Sequence, residues 1–140
     1  MKTAAVHEIQ EFRNRLEVFR DREEAGNILA DMLEPVYGGR EDLTVLAIPA
    51  GGVPVGLKVQ ERLGGSFDLV IARKLKIPDN TEAGFGAMTH GGKVFLNEGL
   101  VRDLRLEEKD IEAETEAVEV ELEKRNRRFR EGRPFPVLRG

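Results

Sequence analysis

The stretch between residues 43 and 72 constrains the fold more than any other part of the chain. Leu43-Thr44-Val45-Leu46-Ala47-Ile48 is a short, almost continuous apolar run, the pattern of a strand buried on both faces. It breaks at Pro49-Ala50-Gly51-Gly52. A helix is expected from Val53 or Pro54 to Leu63, because proline suits the first helical position, where its missing N–H costs nothing. Gly64-Gly65 stops that helix, and Phe67-Asp68-Leu69-Val70-Ile71-Ala72 reads as a second strand. Strand, helix and strand within ~30 residues make a βαβ unit, whose strands are parallel and joined by a right-handed crossover.

Helices are expected on either side of this unit. Ala25, Ile28, Leu29, Met32 and Leu33 form one apolar stripe, predicting a helix over 21–34. Asp21 and Glu24 make its capping box, and Pro35 with Gly38-Gly39 ends it. A weaker helix is expected at 7–16. After Ala72, Arg73-Lys74-Leu75-Lys76-Ile77-Pro78-Asp79-Asn80 reads as a basic loop. Residues 84–89 and 93–96 read as two strands turning at His90-Gly91-Gly92, with Asn97 capping a short helix. A long charged helix is expected over 107–131, acidic at its start and basic at its end, a gradient that complements the helix dipole. Its seam is Ile111, Val118, Leu122 and Phe129, and the rest of it reads as a solvated face. The end, Arg133-Pro134-Phe135-Pro136-Val137-Leu138-Arg139-Gly140, resembles a lead-in to a further strand.

Composition narrows the chemistry. The chain has 140 residues, one domain's worth. Hydrophobic residues make up 40% and charged residues 34%, too apolar for disorder and too charged for a membrane span. The N-terminal residues have no apolar core, so no signal peptide is read, and the cytoplasm is the expected compartment. There is no cysteine, which excludes disulfides, thiol nucleophiles and thiolate metal sites. The two histidines, His7 and His90, show no ligand spacing, so no protein-held metal is expected. The single serine, Ser66, is not in a nucleophile elbow. The net charge of −4 disfavours a nucleic-acid partner.

The strongest functional signal is the turn after the first strand. In a parallel α/β sheet, ligands bind at the carboxyl ends of the strands. Ala50-Gly51-Gly52 lies there and opens a helix, whose N–H groups and dipole favour an anion. The spacing fits neither the dinucleotide fingerprint nor the P-loop, and a bland tight turn fits it equally well. Arg73 and Lys74 follow the second strand, which should end at the same edge of the sheet. A glycine turn beside two cations suits a phosphate or pyrophosphate, while two solvated loop charges remain the plain alternative.

Four segments, taken in order, resemble a known family: Phe19-Arg20-Asp21-Arg22-Glu23-Glu24-Ala25-Gly26, Leu46-Ala47-Ile48-Pro49-Ala50-Gly51-Gly52-Val53-Pro54-Val55, Ala72-Arg73-Lys74 and Leu96-Asn97-Glu98. The chain is similar to the type I phosphoribosyltransferase-like family, from about residue 19 to residue 139. The resemblance implies transfer of ribose 5-phosphate from phosphoribosyl pyrophosphate to a nitrogenous base, with magnesium (Mg2+) and release of pyrophosphate. It implies that Ala50, Gly51 and Gly52 form the pyrophosphate loop, that Arg73 and Lys74 open the segment that flanks the substrate and contribute to its binding, and that residues 74–97 occupy the place of the hood and flexible loop. Two departures stand out. Many relatives carry arginine where this chain has Ala50. The acidic pair followed by a Gly/Thr-rich phosphate loop, the family's hallmark, is absent, so catalytic residues are unassigned.

The expected fold is therefore α/β: a parallel-sheet βαβ core of the type I phosphoribosyltransferase kind, with an N-terminal helical segment, a hood-like hairpin, a long C-terminal helix and an incomplete sheet. The chain is expected to be the front portion of a phosphoribosyltransferase, cut before its main substrate loop, inactive alone, and self-associating or completed by the rest of the protein. The alternative is a non-catalytic phosphate- or pyrophosphate-binding or regulatory module.

Overall fold

A computed structural model describes residues 6–138. The chain divides into two compact units, Met1–Asp68 and Leu69–Gly140.

The first unit is two helices over a small sheet. After a single 3-10 turn at Gln10–Phe12 come α1 (Arg22–Tyr37), β1 (Thr44–Ala47), α2 (Gly52–Leu63) and β2 (Ser66–Leu69). The expected N-terminal helix is thus reduced to that one turn. The Asp21 carboxylate accepts from the Glu24 N–H at 2.8 Å and caps α1. Glu24 reaches one residue further back than a reciprocal capping box would, accepting from the Arg20 N–H at 2.6 Å and Nε at 2.9 Å. Pro35 does not end α1: it lies in its last turns, and the helix closes at Gly38, whose N–H donates to the Glu34 carbonyl.

The βαβ unit forms as the sequence predicts, with β1 and β2 paired in a parallel two-stranded sheet. Gly65 makes the entry to β2 possible. Its φ is +79°, and a Cβ there would lie 2.3 Å from the Leu43 carbonyl oxygen, which accepts the Ser66 N–H. The Thr44 and Ser66 hydroxyls join across the strands at 2.8 Å, a structural place for the only serine. Ala30, Val59 and Leu63 form the buried cluster, with Leu33, Leu43 and Val45 against it. The expectation of a strand buried on both faces fails. Only Ala47 of β1 is fully buried, and Ile48 just beyond it is 59% exposed.

The second unit is an antiparallel sheet backed by a helix. It contains β3 (Ala72–Ile77), β4 (Asn80–Thr89), β5 (Val94–Leu96), α3 (Glu98–Asp103) and α4 (Glu108–Arg130), with strand order β3-β4-β5. The second apolar run therefore splits: β2 ends at Leu69, and Ile71 enters the second unit's core. The basic segment is a strand rather than a loop. Pro78-Asp79 turns it into β4, with Asp79 at φ 66°. The β4–β5 hairpin and the Asn97 cap stand as expected: the Asn97 side chain accepts from the Leu100 N–H. Leu75, Phe85 and Met88 of the sheet pack on Val118 and Leu122 of α4, with Ile111 and Phe129 extending the predicted seam. The basic end of α4 is not wholly solvated. Arg130 is 3% exposed, donates to the Pro134 and Leu69 carbonyls at 2.9 Å each, and lies over the Phe135 ring. Residues 133–138 form no strand. Arg139 and Gly140, the end of the expected lead-in, lie outside the described residues.

Candidate functional site

The β1–α2 turn is the first unit's most distinctive backbone feature. The Pro49–Ala50 peptide is cis. Gly51 is the N-cap of α2, Gly52 its first residue and Pro54 its third, two positions later than the sequence places the proline. Pro54 still sits in the first turn, where its lack of an N–H breaks no helical bond.

Helix starts leave N–H groups without intrahelical partners, and here their disposition departs from the simple expectation. The Gly52 N–H donates to the Ile48 carbonyl at 3.1 Å, and the Val53 N–H to the Ala50 carbonyl at 3.2 Å. The helix's own first donors are therefore engaged, and Pro54 has none. No side chain caps α2. The donors left for an incoming anion are the N–H groups of Ala50 and Gly51, which have no partner among the described residues.

Neither glycine is required by backbone conformation. Gly51 has φ −64° and ψ −29°, values any residue adopts. What glycine provides is space. A Cβ on Gly52 would meet nothing within 4 Å, and one on Gly51 would come within 3.2 Å of Arg22 Nε. A guanidinium from the first residue of α1 thus stands against the glycine turn. Arg22 lies inside one of the family-like segments, yet the sequence assigns it no role. No local spacing announces it, since 29 residues separate it from Gly51 and only the packing of α1 on α2 brings them together.

Arg73 and Lys74 belong to the second unit and already hold protein oxygens. Arg73 shares a face of β3 with Leu75, two residues on, and that face lies under α4. Its guanidinium pairs with the Glu121 carboxylate, and Arg125 lies 3.7 Å from the same carboxylate. The hydrogen bond from Arg73, with these charges, holds the Glu121 carboxyl below the usual carboxylate range. Lys74 Nζ donates to the Glu82 carbonyl at 2.5 Å, and the Lys76 N–H to Glu114 at 2.9 Å. Residues 74–97, read as a hood and flexible loop, hold most of the three-stranded sheet.

Among the described residues no group of three or more acidic or histidine side chains gathers to hold a metal ion. Nor is any helix of the described residues long and apolar enough to cross a membrane. A groove of about 450 Å³ runs beside α1, lined mainly by Ile9, Phe12, Phe19, Ile28, Leu29 and Met32, and offers an anion almost nothing.

Comparison with known proteins points the same way as the sequence resemblance. No family model matches the chain. Two Mycobacterium tuberculosis proteins, from strains CDC 1551 and H37Rv and each named "Putative phosphoribosyl transferase", are 36% identical to it over 125 residues. The match takes in 89% of this chain and 28% of theirs, so the chain spans about a quarter of the length of the curated relatives it matches. The crystal structure of TT1426 from Thermus thermophilus is similar at a TM-score of 0.69 and 39% identity, over 84% of this chain and 55% of that one. The recognition of a phosphoribosyltransferase-like sequence therefore holds, and so does the mixed α/β fold.

Proposed function

We propose that the chain carries the pyrophosphate side of a type I phosphoribosyltransferase, with Ala50, Gly51 and Gly52 as the loop that receives pyrophosphate. In the whole protein the reaction is transfer of ribose 5-phosphate from phosphoribosyl pyrophosphate to a nitrogenous base. The observation that carries this reading is the β1–α2 turn. It leaves two consecutive N–H groups unpartnered among the described residues at the start of a twelve-residue helix, beside a glycine with open space where a side chain would be. Backbone donors at a helix N-terminus stabilise phosphate oxygens without a positively charged side chain in the turn itself. The relatives' names support the same class of reaction.

Magnesium, in this reading, arrives bound to the phosphate oxygens and is not held by the chain. Binding of phosphate by Arg73 or Lys74 would require each to release the partner it already holds, Glu121 or the Glu82 carbonyl.

The test is calorimetric titration of the chain with inorganic pyrophosphate, with and without magnesium. Saturable binding that Gly51→Val abolishes is the expected result. An unaltered isotherm for Gly51→Val refutes the loop assignment. Release of pyrophosphate from phosphoribosyl pyrophosphate over a panel of bases then measures transfer in the full-length protein.

A further inference from the structure

We propose that the outer edge of β5 is a self-pairing surface, on which a second copy of this chain docks antiparallel about Phe95. The proposal is independent of the β1–α2 turn and concerns the second unit alone.

The two outer strands of the three-stranded sheet are built differently. Edge strands present unpaired backbone groups, and proteins commonly blunt them with charge. β3 is blunted in this way: Arg73, Lys74 and Lys76 lie along it, and the Lys76 N–H is taken by the Glu114 carboxylate at 2.9 Å. β5 is not. Val94, Phe95 and Leu96 are 37%, 62% and 39% exposed, and no other three consecutive large apolar side chains are so exposed among the described residues. No charged residue lies within the strand.

The backbone pattern fixes which groups of β5 face outward. The Thr89 N–H donates to the Lys93 carbonyl at 3.0 Å, and the Asn97 N–H to the Phe85 carbonyl at 2.8 Å. Ala87 stands opposite Phe95 between these two bonds, so by the antiparallel alternation residues 93, 95 and 97 turn their backbone groups toward β4. The N–H and C=O groups of Val94 and Leu96 therefore point to the open edge, where they have no partner among the described residues.

A second copy fits this edge in one register. Centred on Phe95, antiparallel pairing sets Val94 opposite Leu96 of the second copy, and the outward groups of the two residues exchange both N–H···O=C bonds. The two-fold axis repeats the pair, so every outward group of the strand is satisfied. The two Phe95 residues become the closer, non-hydrogen-bonded pair. They lie on the sheet face shared with Ala87, opposite to the face where Leu75 and Met88 pack on α4. Charge agrees with this direction. Lys93 precedes the strand and Glu98 follows it. Antiparallel pairing brings Lys93 to the Asn97–Glu98 end of the second copy, whereas parallel pairing would align like charges. Three residues a side fall short of the ~20–30 of a standard interface, so the dimer is reversible and concentration-dependent.

The test is sedimentation equilibrium of the chain from micromolar to millimolar concentration, with hydrogen exchange of the β5 amides followed by NMR. A monomer–dimer equilibrium is expected. The Val94 and Leu96 amides should gain protection as concentration rises, while the Phe95 amide, bonded to β4, keeps the same protection throughout. Phe95→Lys, which sets two cations face to face, should weaken dimerisation at least tenfold. Val94→Pro removes an outward N–H and no bond to β4, so it should do the same with an unchanged far-UV spectrum. It also decides the matter if Phe95→Lys fails to fold. Lys93→Glu and Glu98→Lys should each weaken the dimer, and the double exchange should restore it. A parent that stays monomeric at millimolar concentration overturns the proposal and leaves the edge to a segment from elsewhere in a longer protein. A dimer that Phe95→Lys and Val94→Pro leave intact overturns it too, as do Val94 and Leu96 amides whose exchange ignores concentration. Failure of the double exchange to restore the dimer overturns the antiparallel register.

Discussion

Gly26 offers a test in which two well-understood effects oppose each other. It lies inside α1 and is buried where that helix packs on α2. Helix propensity alone favours Gly26→Ala by about 1 kcal/mol. Geometry opposes it: the added Cβ would lie 2.8 Å from Lys58 Cβ, 2.8 Å from the Val55 carbonyl oxygen and 3.0 Å from Val55 Cα. Carbon atoms in contact sit ~3.5–4.0 Å apart. The helices would have to separate by most of an ångström, and none of the three atoms can swing away. Overpacking of this kind costs ~1–3 kcal/mol, and backbone obstruction places Gly26→Ala in the upper part of that range. The net expectation is destabilisation by about 1–2 kcal/mol, a fall in Tm of roughly 4–8 °C for a chain of this size. Scanning calorimetry with far-UV circular dichroism measures it. Gly52→Ala is the control, since its Cβ meets nothing within 4 Å and it should melt close to the parent. A Gly26→Ala protein that melts at or above the parent temperature would refute the close packing of α1 on α2.

Two further outcomes follow from the same coordinates. Gly65→Ala combines a left-handed backbone with a Cβ 2.3 Å from the Leu43 carbonyl, so it should weaken the Ser66–Leu43 hydrogen bond and cost about 2 kcal/mol or more, read from urea unfolding. Glu121, hydrogen-bonded to Arg73, has a folded-state carboxyl pKa below its ordinary value. Its contribution is therefore present above the unfolded carboxylate pKa, ~4.3, and is lost as pH falls through the lower folded value. Both partners are about a third exposed, so solvent screening limits the contribution to about 1 kcal/mol or less. Glu121→Gln should show a flatter loss of stability below about pH 5 in acid titrations followed by circular dichroism, and an unchanged slope would mean the pair contributes nothing.

The elements most legible from sequence are those whose signals are local. The apolar run, glycine turn, helix and glycine stop specify β1, α2 and β2, and Asp21 and Asn97 announce their helices by the capping bonds they make. The α4 seam at Val118 and Leu122 follows from helical periodicity. Misreadings occur where tertiary context overrides a local signal. Arg73-Lys74-Leu75-Lys76-Ile77 looks like a basic loop because its charges mask the alternation. Leu75 is nonetheless fully buried, Arg73 is paired under α4, and Lys74 is exposed on the other face. Pro35 reads as a stop, yet the helix continues for two residues beyond it. At the candidate site the glycines are legible, and neither has the positive φ that would demand one. The nearness of Arg22 to Gly51 is not legible, because nothing in its own segment points to residue 51.

The measurement that bears most directly on the central claim is a 1H–15N correlation spectrum of the chain titrated with inorganic pyrophosphate. The account predicts saturable shifts concentrated on the amides of Ala50 and Gly51, donors without partners among the described residues. Shifts that bypass these groups, or a spectrum unchanged by pyrophosphate, would contradict it.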